Sequence, residues 1–309
     1  MLFDKIFAKC YNKNTLRGVV MIRSFKEISD NLIVEVCNCF EKNYDFNFLQ
    51  KQYPFLDYNV LYSILYNTGN YGDKLYNCLC QTYLNDNKIL FISDTHYGSI
   101  YENINYVYDV FNFAVANGIH IILHGGDIIE SHTKARVGYS PVKQADHFIE
   151  VYPSDNSINT YALLGNHDYS AIDKSEMVRK ILCSRNDINI LGFKKEFLKW
   201  CGVTISLHHE IERFKLSLPF RTEFLSFVGH SHFYYIKGRK NGQCEKIYIP
   251  PMCDDPTFSL ANRHLEDRIF KPGFLTAEIV NDCVVVIYYS FNSGKIVKEN
   301  EFQKVLKRK

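Results

Sequence analysis

Tyr161-Ala162-Leu163-Leu164-Gly165-Asn166-His167-Asp168 decides how the chain is read. A short apolar run that stops abruptly in Gly, Asn, His and Asp is a buried strand delivering hydrogen-bonding and metal-binding groups to the edge of a core. The pattern recurs. Ile89-Leu90-Phe91-Ile92 leads to Asp94-Thr95-His96, and Ile121-Ile122-Leu123 leads to Gly126-Asp127. Val203-Thr204-Ile205-Ser206-Leu207 leads to His208-His209, and Phe224-Leu225-Ser226-Phe227-Val228 leads to Gly229-His230-Ser231-His232. In α/β sheets the site lies outside the carboxyl ends of the strands, so these five ends are expected to converge.

Between these ends the chain alternates strand and helix. The spacing predicts helices over 103–117, 141–151 and 175–185, with strands at 160–164 and 188–191. After His232 only strands are expected, at 233–236, 246–249, 274–279 and 284–289. Alternating βα units followed by strands imply a mixed sheet, or two sheets packed together with helices outside. The tail from Lys295 carries six Lys/Arg against two Glu and reads as a solvated end.

Residues 1–86 differ in character and are read as a helical N-terminal region, with 87–309 as the main domain. Ser24-Phe25-Lys26-Glu27 matches a capping box, followed by Leu32, Ile33, Val36, Cys37 and Phe40 at helical spacing. Asp45 and Asp57 open two short helices that resemble a helix-turn-helix, and Asp73 opens a fourth carrying Leu75, Leu79 and Tyr83. The candidate recognition helix, 57–67, has no Lys or Arg, which disfavours duplex DNA reading. A docking, dimerisation or buttressing role suits the region better.

Composition sets the outer limits. The 309 residues are 46% hydrophobic and 23% charged, with a formal net charge of +2. No overall basic field advertises nucleic acid, and no uncharged apolar run is long enough to span a membrane. Met1-Leu2-Phe3-Asp4-Lys5 has an acid where a secretory leader would be basic, so the expected location is cytoplasmic. The ten cysteines are scattered and read as reduced, buried thiols. A homo-oligomer is compatible with the sequence.

The strand ends together supply Asp94, His96, Asp127, Asn166, His208, His230 and His232. Carboxylate, imidazole and amide without thiolate suit Mn, Fe, Zn or Ni, and are too rich in nitrogen for Ca or Mg alone. Seven ligands exceed one ion's needs but suit two divalent ions sharing a bridging carboxylate, for which Asp127 in its Gly-Gly-Asp turn is the natural choice. Of the two adjacent histidines, His208 is preferred over His209 because it directly follows the apolar strand.

The ordered series D-x-H, G-D, G-N-H-D, a lone His and G-H-x-H resembles the calcineurin-like metallophosphoesterases. Here it is carried by Asp94/His96, Gly126/Asp127, Gly165–Asp168, His208 and Gly229–His232. The resemblance implies an αββα sandwich with two metal ions, Mn foremost. Asp94, His96, Asp127 and His232 would hold one ion; Asp127, Asn166, His208 and His230 would hold the other. It makes His167 the general acid for the leaving oxygen, with Glu130 orienting its imidazole. Gly126-Asp127-Ile128-Ile129-Glu130-Ser131-His132 lacks the Arg-Gly of the family's protein phosphatases, and Asp94-Thr95-His96-Tyr97-Gly98-Ser99 looks like the phosphodiesterase and repair-nuclease branches. The expected function is hydrolysis of phosphodiesters in nucleic acid or a nucleotide. The alternatives are a phosphomonoesterase of a small metabolite and, of another class, a scaffold that binds without catalysis.

Overall fold

The structure is a computed structural model. It describes residues 29–43, 48–49, 52–53, 56, 61, 64–65, 82–131, 139–193, 195–209, 223–238, 245–256 and 268–306. The chain divides into two compact units, Met1–Leu79 and Cys80–Lys309. In the first, helix α1 (Asp30–Asn43) buries Leu32, Val36, Cys37 and Phe40, the apolar stripe expected from the spacing. Phe48, Leu49, Leu61, Ile64 and Leu65 are also helical. The expected capping box at Ser24 and the turns linking the short helices lie outside the described residues.

The second unit is built from two sheets. The larger has strand order β13-β12-β11-β2-β3-β4-β5: β2 (Lys88–Ile92), β3 (Ile121–His124), β4 (Asn159–Leu164), β5 (Ile188–Phe193), β11 (Gly273–Val280), β12 (Cys283–Asn292) and β13 (Lys295–Val305). Strands β2 to β5 are parallel, whereas β11, β12 and β13 are added antiparallel. The smaller sheet has order β1-β6-β7-β8-β10-β9: β1 (Thr82–Leu84), β6 (Lys195–Trp200), β7 (Val203–His208), β8 (Glu223–Val228), β9 (Tyr235–Lys237) and β10 (Glu245–Tyr248). Among the described residues four helices accompany them: α2 (Ile104–Ala116), α3 (Pro141–Val151), α4 (Asn166–Lys174) and α5 (Glu176–Leu182).

Strand alternation explains why there are two cores. Along β2, Leu90 and Ile92 face the helix layer with Val107, Val110, Phe111, Phe148 and Val178. Ile89 and Phe91 face the other sheet, meeting Leu207, Leu225, Phe227 and Ile247. Phe91 and Phe227 stack across the two sheets with ring centroids 3.8 Å apart. This is the sandwich expected from the sequence: two mixed sheets face to face, with helices outside.

Local chemistry fixes the helix ends. Ser140 caps α3 by accepting the Lys143 N–H, and Pro141 occupies the first helical turn. α2 ends before Gly118, which adopts φ +61.

Three elements differ from expectation. Tyr83, assigned to a fourth helix, lies in β1, which pairs with β6 at the edge of the smaller sheet. The tail from Lys295, read as a solvated end, is exposed along most of its length yet forms the long edge strand β13, paired with β12. Helix α4, which the spacing does not predict, starts at Asn166, so Asn166-His167-Asp168 form its first turn with Gly165 as the N-cap.

Candidate metal centre

The parallel strands bring their carboxyl ends to one edge, and the turns that follow are locked together by backbone hydrogen bonds. Asp94 N–H donates to Gly126 O (2.9 Å), His96 N–H to Asp127 O (3.1 Å) and Tyr97 N–H to Ile128 O (2.8 Å). Asp94, His96, Asp127, His230 and His232 all have left-handed backbone, with φ between 46° and 67°. Each such residue costs about 1–2 kcal/mol. Five of them gathered at one edge mark a place where side-chain direction has outweighed backbone comfort. Gly126, at φ +103, permits the close approach of His209: a Cβ there would come 2.5 Å from its Nδ1.

Three buried side chains, His124, Thr95 and Asp168, brace these turns. Gly126 N–H donates to His124 Nδ1 (3.1 Å), which leaves the ring proton on Nε2 for Thr95 Oγ1 (3.0 Å). The Thr95 hydroxyl passes its own proton to Ile128 O (3.0 Å), completing a chain across both turns. Burial pushes the His124 pKa down to about 3, so the ring stays neutral. Asp168 accepts the N–H groups of Gly165 (2.8 Å), Ile129 (2.9 Å) and Ile128 (3.1 Å), tying the start of α4 to the turn after β3. Burial, then the neighbouring Asp127, lifts its pKa to about 6 against those three donors.

The donor atoms converge around Asp127. Its Oδ2 lies 3.0 Å from His209 Nε2, 3.9 Å from His96 Nε2 and 4.0 Å from His167 Nε2. On one side His96 Nε2 and His232 Nε2 are 3.1 Å apart, and Asp94 Oδ1 is 3.3 Å from the latter. On the other, His209 Nε2 is 3.2 Å from Asn166 Oδ1, and His230 has a donor within 4.8 Å of one from Asp127 and one from His209. Metal–nitrogen and metal–oxygen bonds of about 2.0–2.2 Å set donors roughly 3.3 Å apart in a tetrahedral shell, which these separations approach. The protonation pattern agrees. His209 Nδ1–H donates to Gly125 O (2.7 Å), so its Nε2 lone pair faces a carboxylate and an amide oxygen. Lone pairs aimed at one another need a cation or a proton between them. The residues present therefore fit divalent metal binding.

Of the two adjacent histidines it is His209, not His208, that joins this cluster. His208 Nε2 instead sits 2.8 Å from Ser206 Oγ. The reason is strand parity. Ile205 and Leu207 face the inter-sheet core while Ser206 and His208 point the other way, so residue 209 is in phase with the site side. Glu130 also behaves differently from expectation. Its carboxylate meets His96 Nδ1 (2.8 Å), while His167 Nδ1–H donates to the Glu130 backbone carbonyl (2.6 Å); the carboxylate Oε1 is 3.9 Å from that ring nitrogen. Cys253, which nothing in its sequence neighbourhood singles out, is buried with Sγ 3.9 Å from His232 Nδ1.

Histidines and carboxylates polarise one another here. Burial works against a charged Asp94, but His232 and then His209 hold its carboxyl below the usual range. Burial likewise opposes ionised Asp127, and His209, His96 and His167 outweigh it. Burial would push His209 down, yet Asp127 and Asp94 lift it to about 10. For His96, contact with Glu130 and the charge of Asp127 overcome burial and raise it. These are paired carboxylates and imidazoles arranged to exchange protons for a cation.

A family model, calcineurin-like phosphoesterase, matches residues 87–249, just over half of the chain. The chain belongs to the calcineurin-like phosphoesterase family. As a member it is a metal-dependent phosphoesterase, a hydrolase acting on phosphate esters, and the family implies divalent metals at the cluster described above. A search of curated proteins gives no match. Similar solved structures include Vps29 of Entamoeba histolytica complexed with zinc, at 14% identity over 70% of this chain and 98% of that one, TM-score 0.38. Vacuolar Protein Sorting 29 of Cryptosporidium parvum is 17% identical over 71% of this chain and 98% of that one, TM-score 0.44. An archaeal phosphodiesterase is 14% identical over 71% and 99%, TM-score 0.38. No helix among the described residues of this family member is long and apolar enough to cross a membrane.

Proposed function

We propose that this phosphoesterase is a dinuclear phosphodiesterase acting on nucleic acid or a nucleotide. The observation that carries the dinuclear reading is Asp127, whose one carboxylate oxygen faces His209 on one side and His96 on the other. Asp94, His96, Asp127 and His232 form one half-site; Asp127, Asn166, His209 and His230 form the second. Two divalent ions held there would supply an activated water and positive charge against the phosphate oxygens.

The chain's own groups do the rest. His167 donates Nδ1–H to the Glu130 carbonyl, which fixes its ring and turns Nε2 toward the Asp127 side of the cluster. In its imidazolium form that Nε2 holds the proton delivered to the leaving oxygen. Asp127 Oδ1 accepts the His167 N–H (2.9 Å), so the acid and the Asp127 carboxylate keep one spacing. Glu130 holds His96 from behind its ring, and Asp94 accepts the His230 N–H (3.0 Å) to keep the two half-sites in register.

Two features favour a diester over a monoester. Ser131 stands where the family's protein phosphatases carry an arginine, and among the described residues every ion pair at the cluster involves histidine. A diester bears less negative charge than a monoester dianion and needs less clamping. The test is turnover of bis-p-nitrophenyl phosphate, p-nitrophenyl phosphate and a short oligonucleotide by metal-stripped protein reloaded with Mn. Diester cleavage should exceed monoester cleavage and vanish on chelation. Faster monoester turnover would replace the proposal with a phosphomonoesterase.

A further inference from the structure

We propose that Cys253 is a metal ligand, giving the His96–His232 half-site a sulfur donor and a preference for zinc-class ions. The inference rests on the metal-binding reading above and goes beyond it, because the family pattern read from the sequence contains no thiol. The segment carrying Cys253 is pinned to the Asp94–His96 turn. Met252 N–H donates to Ser93 O (3.0 Å) and Asp254 N–H to Tyr101 O (2.9 Å), with a β-bridge between Glu102 and Cys253. Held from both sides, the side chain has little choice of direction and is 1% exposed.

Its sulfur lies beside the imidazoles. Sγ lies 3.9 Å from His232 Nδ1, and one donor atom from each of His96, His232 and Cys253 lies within 4.8 Å of the other two. His96 Nε2 and His232 Nε2 are already at 3.1 Å, close to the spacing of two ligands on one ion. Two imidazoles and a sulfur suit Zn, Co or Fe, whereas Mn and Mg favour oxygen. When the sulfur–metal bond forms, the thiol proton leaves to solvent, so charge and atoms balance.

Spectroscopy on the full-length chain decides the matter. Metal-stripped protein receives less than one equivalent of Co, and its near-ultraviolet absorption is recorded beside that of Cys253→Ser and Cys253→Ala. A sulfur-to-cobalt charge-transfer band is expected in the wild type and absent from both variants, which still take up Co through their remaining donors. Zinc affinity should fall about 10–100-fold in the variants while manganese affinity changes little. X-ray absorption of the zinc-loaded wild type needs no variant and should show a sulfur neighbour at about 2.3 Å. Bound cobalt without the band, or a band that persists in Cys253→Ser, would overturn the ligand assignment and leave the thiol behind the His232 ring. Failure of the wild type to bind cobalt, zinc or manganese at all would instead remove the metal reading of the whole cluster.

Discussion

At the scale of single residues, the two adjacent histidines give the sharpest contrast. His209 Nε2 faces Asp127 and Asn166, whereas His208 Nε2 faces Ser206. His209→Asn should therefore lower metal content and hydrolysis together. His208→Asn should keep both, and lose only about 1 kcal/mol of stability with the Ser206 contact. Metal analysis beside thermal melting separates the two, and the opposite pattern would return His208 to the site. Glu130 makes a second contrast. Its carboxylate touches His96, while His167 hydrogen-bonds its backbone carbonyl. Glu130→Gln should weaken metal retention about 10–100-fold, with the same loss for good and poor leaving groups. His167→Asn should keep its metal and lose about 10²–10⁴-fold on a poor leaving group, with a smaller loss on nitrophenolate. A Glu130→Gln defect that follows leaving-group quality would place its carboxylate on the acid instead.

At the scale of elements, much of the larger sheet was legible. Ile89–Ile92, Ile121–Leu123 and Thr160–Leu164 are continuous apolar runs, each closed by Gly, Asp or Asn, and a strand buried on both faces has that appearance. The clusters that follow them were equally legible, because Asp, His and Asn at successive strand ends serve no packing purpose. Other elements left weaker traces. β6 reads Lys-Glu-Phe-Leu-Lys-Trp, too charged to announce a strand, and β13 is rich in Lys and Glu because it is an edge. The Cys253 segment is placed by long-range backbone pairing that no local pattern reports. β6 also carries a testable oddity in Glu196, whose carboxyl sits against Gly192. Burial lifts its pKa from the ordinary 4.5 to about 8, and the Phe197 N–H offsets only part of that rise. Between those two values the folded chain holds a proton that the unfolded chain has lost, so stability falls as pH rises through the window. Glu196→Gln removes the penalty. Melting curves of the two proteins should coincide near pH 4.5 and separate toward pH 8, with the variant the more stable; a constant offset would show that the carboxyl does not titrate there.

At the scale of the whole molecule, the question is where the catalytic unit begins. The sequence suggests a boundary near Asn87, just ahead of the first metal-ligand strand, yet the smaller sheet draws on residues before it. β1 runs parallel to β6, aligning Thr82, Tyr83 and Leu84 with Leu198, Lys199 and Trp200. Leu84 is buried, Cys201 N–H donates to its carbonyl (2.9 Å), and the indole N–H of fully buried Trp200 donates to Asp86 O (2.7 Å). A chain starting at Lys88 would leave that indole without its acceptor, at a cost of about 1–3 kcal/mol, and would uncover the edge of the inter-sheet core. A chain starting at Cys80 keeps all of these contacts and every residue of the proposed centre, the first of which is Asp94. The 80–309 chain should therefore fold, bind metal and hydrolyse a small diester as the full chain does. The 88–309 chain should melt several degrees lower while keeping the same metal stoichiometry wherever it remains folded. Thermal melting and diester turnover of the two truncated chains provide the measurement. If 80–309 folds and binds metal but fails on the small diester, residues before Cys80 take part in the reaction itself, and the division into a helical region and a self-sufficient catalytic unit is wrong.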